Sequence, residues 1–325
     1  MKIADFELLK KLIHGATVTE NDGMYQFSRF TEEQRSTYSG SRDFLQKSGS
    51  TSSVRMEFET DAASVSLDVA AAPGSSRNFY YFDIMVNGVL VQYSGAESCL
   101  DQPEFHLEIQ LDGKKNRVCI YFPNLVKISL KQAVFEGASV IEPIQKKLRI
   151  VSFGDSITQG YDAYHPSLAY PNQLADALDA DLWNKGIGGE IFNPVLASHC
   201  ESQQPDLITV AYGTNDWVRC TSKEQLIYNA EHFFENIAKN YPGVPVLVIL
   251  PIWRNDFNQT TGVGSFEEAR EIVRDISSKY PNNKIVDGLK LVPHLNECYR
   301  ADGLHPNDFG FQFMGKNLLK DLPKF

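Results

Sequence analysis

The chain has 325 residues, more than a single hydrophobic core usually supports, so two domains are expected. Its formal net charge is −10 and no stretch gathers Lys and Arg into a basic stripe, which argues against nucleic acid or an anionic membrane as partner. No apolar run approaches membrane-spanning length and residues 1–7 carry acids where a secretory signal needs an apolar core, so a soluble, cytoplasmic protein is expected, and five cysteines without paired spacing read as isolated thiols, not a metal site or disulfide framework.

Phe6, Leu8, Leu9, Leu12 and Ile13 fall at helical spacing up to Gly15, which predicts a short amphipathic opening helix. The period then changes. Short runs, many of them alternating, cover 24–30, 53–59, 64–69, 79–86, 89–93, 104–111, 117–122 and 126–135, with turn signals at Ala72-Pro73-Gly74, Asn87-Gly88 and Asp112-Gly113. Eight such strands predict a β-sandwich or jelly roll, with the firmest hairpin at Asn87-Gly88, a pair that tolerates φ > 0. The serine-rich 48–53 reads by composition as a mobile loop. Around 136–147 the apolar pattern lapses through Gly137, Pro143 and Gln145-Lys146-Lys147, which places the boundary between an all-β domain over 1–143 and a second domain over 146–325.

From Leu148 onward strand and helix alternate. Strands are predicted over 148–153, 181–185, 207–212, 244–250 and 284–286, and helices over 167–178, 192–199, 223–240, 266–279 and 307–319. Alternation of this kind gives a parallel sheet with right-handed crossovers, and five strands suit a flavodoxin-like three-layer α/β/α domain. Such sheets keep their ligand crevice at the carboxyl ends of the strands.

Three blocks of chemistry fall at those ends, and a fourth near the C-terminus. Leu148, Ile150, Val151 and Phe153 read as a strand buried on both faces that breaks at Gly154-Asp155-Ser156, so a hydroxyl stands at the sheet edge. Asn184-Lys185-Gly186-Ile187-Gly188-Gly189 and Gly213-Thr214-Asn215-Asp216 each follow a predicted strand. Asp302-Gly303-Leu304-His305-Pro306 sets a carboxylate and an imidazole three residues apart in a turn. A serine nucleophile needs a base, the base an orienting acid, and the oxyanion donors. Asp155 and Asp216 are expected to fix their turns or cap the helices that follow, not to accept the proton.

The four blocks, in this order, resemble the SGNH (GDSL-type) hydrolase superfamily over 148–325, with Ile157 where leucine ends the GDSL signature. The resemblance implies Ser156 as nucleophile, His305 as base and Asp302 as its orienting acid. It implies an oxyanion hole of the Ser156 and Gly189 N–H groups and the Asn215 amide, with no metal or organic cofactor. An all-β domain ahead of such a hydrolase looks like the arrangement of family-two-type carbohydrate esterases, which implies removal of a short acyl group, acetyl first, from a carbohydrate. The N-terminal module would bind or shield glycans, or else stabilise or oligomerise the chain.

Trp217, Trp253 and Arg254 follow strand ends and are candidates to line the crevice. Trp253 and Arg254 begin the irregular stretch 252–265, whose Gly262 and Gly264 would let it move. Two alternatives stand beside the carbohydrate esterase: a lysophospholipase or thioesterase, which would need an apolar acyl channel, and a glycan-binding protein with a relic hydrolase domain. The polar and aromatic segments around 161–165 and 254–259 disfavour the first. Retention of Ser, Asp, His and Asn disfavours the second. His165, His199 and His294 stand outside any block and are expected to be structural or surface residues.

Overall fold

The computed structural model describes residues 1–322, leaving the last three residues of the expected second domain outside. Alternating side chains in the first 143 residues build two antiparallel sheets of six strands each. One runs Thr17–Asn21, Met24–Ser28, Val126–Glu136, Ser64–Pro73, Glu104–Gln110, with Lys2–Ile3 added to Val126–Glu136. The other runs Ile141–Pro143, Arg55–Thr60, Asn116–Tyr121, Tyr80–Val86, Val89–Ala96, with Ile13–His14 on Arg55–Thr60. One core joins them, in which Phe27, Phe58, Phe82, Phe122 and Phe135 are buried. Asn87 and Gly88 sit at φ 52° and 81°, closing the hairpin with Val86 opposite Val89.

All eight predicted strands form, and the opening helix spans Phe6–Leu12. Four strands were not foreseen: Lys2–Ile3, Ile13–His14, Thr17–Asn21 and Ile141–Pro143, pieces of two to five residues too short to show a period. Two short helices, Glu32–Ser36 and Arg42–Ser48, also lack an apolar stripe and are fixed by their caps: a Thr31/Gln34 capping box and the Ser41 hydroxyl.

The expectation of a mobile loop at 48–53 is corrected. Ser48, Ser50, Thr51, Ser52 and Ser53 are all buried. Thr51 Oγ1 donates to Pro123 O at 2.9 Å and Ser52 Oγ to Asn124 O at 2.5 Å, while Gln159 and Asn184 donate to Ser50 and Ser53 at 2.9 and 3.0 Å. Small hydroxyl residues fit a seam where backbones approach closely and carry their own hydrogen bonds into it, so composition alone misreads them.

The chain changes sheets between Pro143 and Leu148. Five parallel strands follow in the order Ala180–Asn184, Leu148–Gly154, Leu207–Ala211, Val246–Ile249, Asn283–Val286, with helices on both faces. Alternation within each strand feeds two cores. Val151, Phe153, Ile208 and Val210 face the helices Lys223–Asn240 and Phe266–Ser277, and Ile150, Leu207, Leu247 and Ile249 face Tyr170–Leu178 and Asp308–Leu318. The strand order reverses beside Leu148–Gly154, which puts the ligand crevice beyond its carboxyl end and that of Leu207–Ala211. Among the described residues no helix is long and apolar enough to cross a membrane.

The two halves share a buried polar seam. Phe30 and Tyr38 pack into a core of the parallel sheet, so the division in sequence is not a division in packing. The fully buried Arg29 guanidinium donates to Ser50 O at 2.8 Å and to the Asn184 carbonyl. Lys185, also fully buried, pairs with Glu201 at 2.9 Å and bonds Gln34 Oε1 at 3.0 Å. On another part of the seam His165 Nδ1 lies 2.7 Å from the buried Asp83, the structural role expected of it.

Candidate active site

The strand Leu148–Gly154 can turn sharply only because residue 154 lacks a side chain. A Cβ there would lie 2.1 Å from Thr158 Oγ1 and 2.8 Å from Ala211 O. Asp155 then caps a single helical turn, Ser156–Gln159, by accepting from Ile157 N at 2.9 Å, and Gly160 at φ 89° ends it. Ser156, 4 % exposed, is thereby held at the first helical position. Burial pushes the Asp155 carboxyl up to about 6.

His305 Nε2 lies 2.8 Å from Ser156 Oγ, and His305 Nδ1 lies 2.6 Å from Asp302 Oδ2. The other Asp302 oxygen accepts the backbone N–H groups of Leu304 and His305 at 3.0 and 3.1 Å. Partial burial pushes the Asp302 carboxyl up, but the bonds from the imidazole and those two N–H groups outweigh it and hold it well below the usual carboxylate range. An ionised Asp302 keeps the ring proton on Nδ1, leaving Nε2 free to accept from the serine hydroxyl. The turn is pinned by Gly303 at φ 62°, whose carbonyl accepts from Asn255 N at 2.9 Å, and by Asn307, which caps Asp308–Leu318.

Two loops leave the strands on either side of Leu148–Gly154 at the same edge. Gly188 N donates to Gln159 Oε1 at 2.6 Å, which places the next residue, Gly189, at φ 85°. Asn215 follows Gly213 at φ 111° and donates to Glu190 O at 3.1 Å. Asp216 braces both loops as expected, accepting from Gly213 N and Phe192 N at 3.0 Å each, and burial pushes its carboxyl up to about 7. Among the described residues the Ser156 and Gly189 amides have no acceptor. The glycine-bearing loop after Asn184 and the Gly213-Thr214-Asn215-Asp216 block thus leave the neighbouring strands at the sheet edge that carries Ser156, and the fourth block supplies the ring that touches its Oγ. The arrangement can pass a proton from a hydroxyl to an imidazole backed by a carboxylate.

The expected crevice-lining residues fare differently. Trp217 is 1 % exposed, packs edge-on against Phe266 at 5.2 Å and donates to Gly264 O at 2.9 Å, so it belongs to the core. Arg254 is also buried; it pairs with Asp256 at 2.5 Å, donates to Thr214 O at 3.1 Å and lies 4.9 Å over the Trp217 ring. Both corrections have one cause: a residue just past a strand end can turn inward as readily as outward. Trp253 is half-buried, against Tyr299 at 4.9 Å and His294 at 5.7 Å. The stretch 252–265 is not loose either. Its end forms a hairpin of Thr260–Thr261 and Gly264–Ser265, and a Cβ at Gly262 would lie 2.5 Å from Thr221 O.

Two residues noted only as polar or aromatic lining stand beside the ring. Tyr161 stacks on His305 with centroids 5.3 Å apart. Asp162, 2 % exposed at φ 65°, has Oδ2 3.7 Å from His305 Nδ1. Both Asp162 oxygens are held by Arg77 from the all-β half, at 2.8 and 2.9 Å. One ligand atom each from Asp162, Asp302 and His305 falls within a 4.8 Å cluster, but both Asp162 oxygens are taken by the Arg77 guanidinium and both His305 nitrogens by Asp302 and Ser156. No sequence signal joined Arg77 to this site, because it reaches across 85 positions from the other half.

Residues 152–313 match the GDSL-like lipase/acylhydrolase family. No curated protein matches the chain. Among solved structures it is similar to a salicylyl-acyltransferase from a tetracycline biosynthetic pathway (TM-score 0.81, 20 % identity, covering 95 % of this chain and 92 % of that one). It is also similar to a family two carbohydrate esterase from Clostridium thermocellum in complex with cellohexaose (0.66, 14 %, 83 % and 91 %). A third likeness is to an acetyl xylan esterase from the rumen bacterium Butyrivibrio proteoclasticus (0.64, 16 %, 99 % and 98 %). At these identities the likenesses show the fold: a three-layer α/β/α domain after a β-sandwich.

Proposed function

We propose that this chain, a serine ester hydrolase whose C-terminal domain is a GDSL-like lipase/acylhydrolase, removes a short acyl group, acetyl first, from a carbohydrate or similarly polar alcohol. The observation that carries the chemistry is the unbroken line Ser156 Oγ, His305 Nε2, His305 Nδ1, Asp302 Oδ2, with separations of 2.8 and 2.6 Å across the ring's two nitrogens. In this reading Ser156 Oγ attacks the acyl carbonyl as its proton passes to Nε2, and Asp302 stabilises the imidazolium. The Ser156 and Gly189 N–H groups and the Asn215 amide receive the oxyanion. Nε2–H then protonates the leaving alkoxide, and water repeats the sequence on the acyl-enzyme.

The polar surroundings support a small acyl group. Asp162 and Arg77 stand beside the His305 ring, and the exposed Arg219 guanidinium rests against Gly189. The second structural relative is named a carbohydrate esterase and the third an acetyl xylan esterase, which supports an ester of a carbohydrate as substrate. The first favours a second reading in which an alcohol, not water, takes the acyl group from the same intermediate. Added alcohol would then divert the product from free acid to new ester.

Hydrolysis of p-nitrophenyl esters tests the proposal: kcat/KM should fall from acetate to butyrate, with octanoate barely turned over. A channel that fitted a long chain would gain about 0.8 kcal/mol per buried methylene and reverse that order, which would favour a lipid substrate. Asn215→Ala should lower kcat by on the order of 10²-fold with a smaller change in KM, since its amide meets the oxyanion more strongly than the ground-state carbonyl. Steady-state kinetics with p-nitrophenyl acetate check this, and an unchanged kcat would remove Asn215 from the oxyanion hole.

A further inference from the structure

The imidazole has two carboxylates beside it. Asp302 Oδ2 bonds Nδ1 at 2.6 Å, and Asp162 Oδ2 stands 3.7 Å from the same nitrogen. A base flanked by two uncompensated anions would be held as imidazolium and could not accept the serine proton near neutral pH. We propose that Arg77, delivered by the β-sandwich, is a positioning residue that cancels the Asp162 charge, so that the hydrolase base works against Asp302 alone. This rests on the reading of Ser156 and His305 as nucleophile and base.

The geometry is specific. Arg77 lies in the connection between the strands Ser64–Pro73 and Tyr80–Val86, where its backbone N–H is fixed by Ser75 Oγ at 3.0 Å. Its Nε and Nη2 make a two-point fork on Asp162, at 2.8 and 2.9 Å, and Nη2 is also 4.0 Å from Asp302 Oδ2. The guanidinium lies 5.6 Å from the Tyr161 ring, which stacks on His305, and Ser76 N donates to the Tyr161 hydroxyl at 3.3 Å. Asp162 is buried, and among the described residues this fork and the imidazole are the cations it meets. The bonds from Asp162 in turn raise the Arg77 guanidinium above its ordinary value.

The remaining charged groups around His305 are spoken for. Asp155, beneath it, caps its own helix. Arg254 is paired with Asp256, and the Arg300 guanidinium sits 4.9 Å over the Tyr164 ring. Asp162 and Arg77 therefore act on the base as a unit, and a fork of this kind is stronger and better oriented than a point charge.

The test uses the full chain and two readouts: pH titration of the His305 ring followed by ¹⁵N NMR, and the acid limb of kcat/KM with p-nitrophenyl acetate. In Arg77→Gln both midpoints should move up by about one pH unit or more, the range for an opposite charge at this separation. Arg77→Lys, which keeps the charge, should leave them within a few tenths of a unit of wild type. Arg77→Gln combined with Asp162→Asn should restore them. A purely structural role would lower activity equally at all pH values with the titration unmoved, and that result would overturn the proposal. So would a double variant that kept the shift. If Arg77→Gln does not fold, Asp162→Asn alone decides: with the guanidinium left uncompensated beside the ring both midpoints should fall, and unmoved midpoints would overturn the proposal. The NMR arm needs no turnover, so a chain that titrates as expected but cleaves no ester would refute the esterase reading alone.

Discussion

Ser156→Ala is expected to abolish ester hydrolysis, a fall on the order of 10⁶-fold in kcat, while leaving the fold and its thermal midpoint unchanged. The hydroxyl's partner is His305 Nε2 at 2.8 Å, and the turn around it is fixed by Asp155, Gly154 and Gly160, none of which needs that oxygen. His305→Ala should be nearly as damaging, and the double variant no worse than either single one, because nucleophile and base act as a unit. Kinetics on p-nitrophenyl acetate beside a melting curve for each variant check this. A Ser156→Ala protein with wild-type esterase activity would end the assignment of the site.

Asp302→Asn is the second large effect, milder but still a loss on the order of 10²- to 10⁴-fold in kcat. The asparagine oxygen can keep the Leu304 and His305 N–H bonds, so the turn should survive. Its amide, however, presents a donor to His305 Nδ1. That favours the tautomer with the proton on Nε2, where it cannot accept from Ser156, and removes the charge that stabilises the imidazolium. In the wild type the carboxyl is held well below its usual range, so it contributes stability above the ordinary carboxylate pKa and loses that contribution only as the pH falls into the strongly acid range. Near neutral pH it should stay ionised, and the acid limb of the rate profile should not report Asp302. Rates measured across pH for both proteins decide the point, and an Asn variant within a few-fold of wild type would show that Asp302 only braces the turn.

What the sequence disclosed follows from how far each signal reaches. The strand that stops at Gly154 and the glycine-bearing loops are local patterns at the ends of apolar runs, which the sheet order brings to one edge, and the Asp302–His305 turn is a local pattern ahead of the helix Asp308–Leu318. The eight sandwich strands were legible for the same reason: each carries its own alternation. Trp217 and Arg254 could not be placed, because the run before them does not say which way the chain turns next. The stretch 48–53 looked loose because its hydroxyls are satisfied by residues far away in sequence, such as Pro123, Asn124 and Asn184. Arg77 was invisible on the same ground, since its meaning lies entirely in Asp162.

The seam around Arg29 also bears on how the protein is made. Arg29 donates to the Asn184 carbonyl, 155 positions downstream, and Lys185 reaches back to Gln34 while pairing with Glu201. At ribosomal rates of about 5–20 residues per second those partners emerge roughly 8–30 s after Arg29 does. For that interval the sandwich strands can pair, but the stretch from Arg29 to Ser53 has no floor to lie on and its guanidinium must stay in water. The nascent first half is therefore an unfinished body that a holding chaperone would meet before the hydrolase half arrives. A chain released anywhere short of Asn184 leaves Arg29 without the carbonyl that receives its charge.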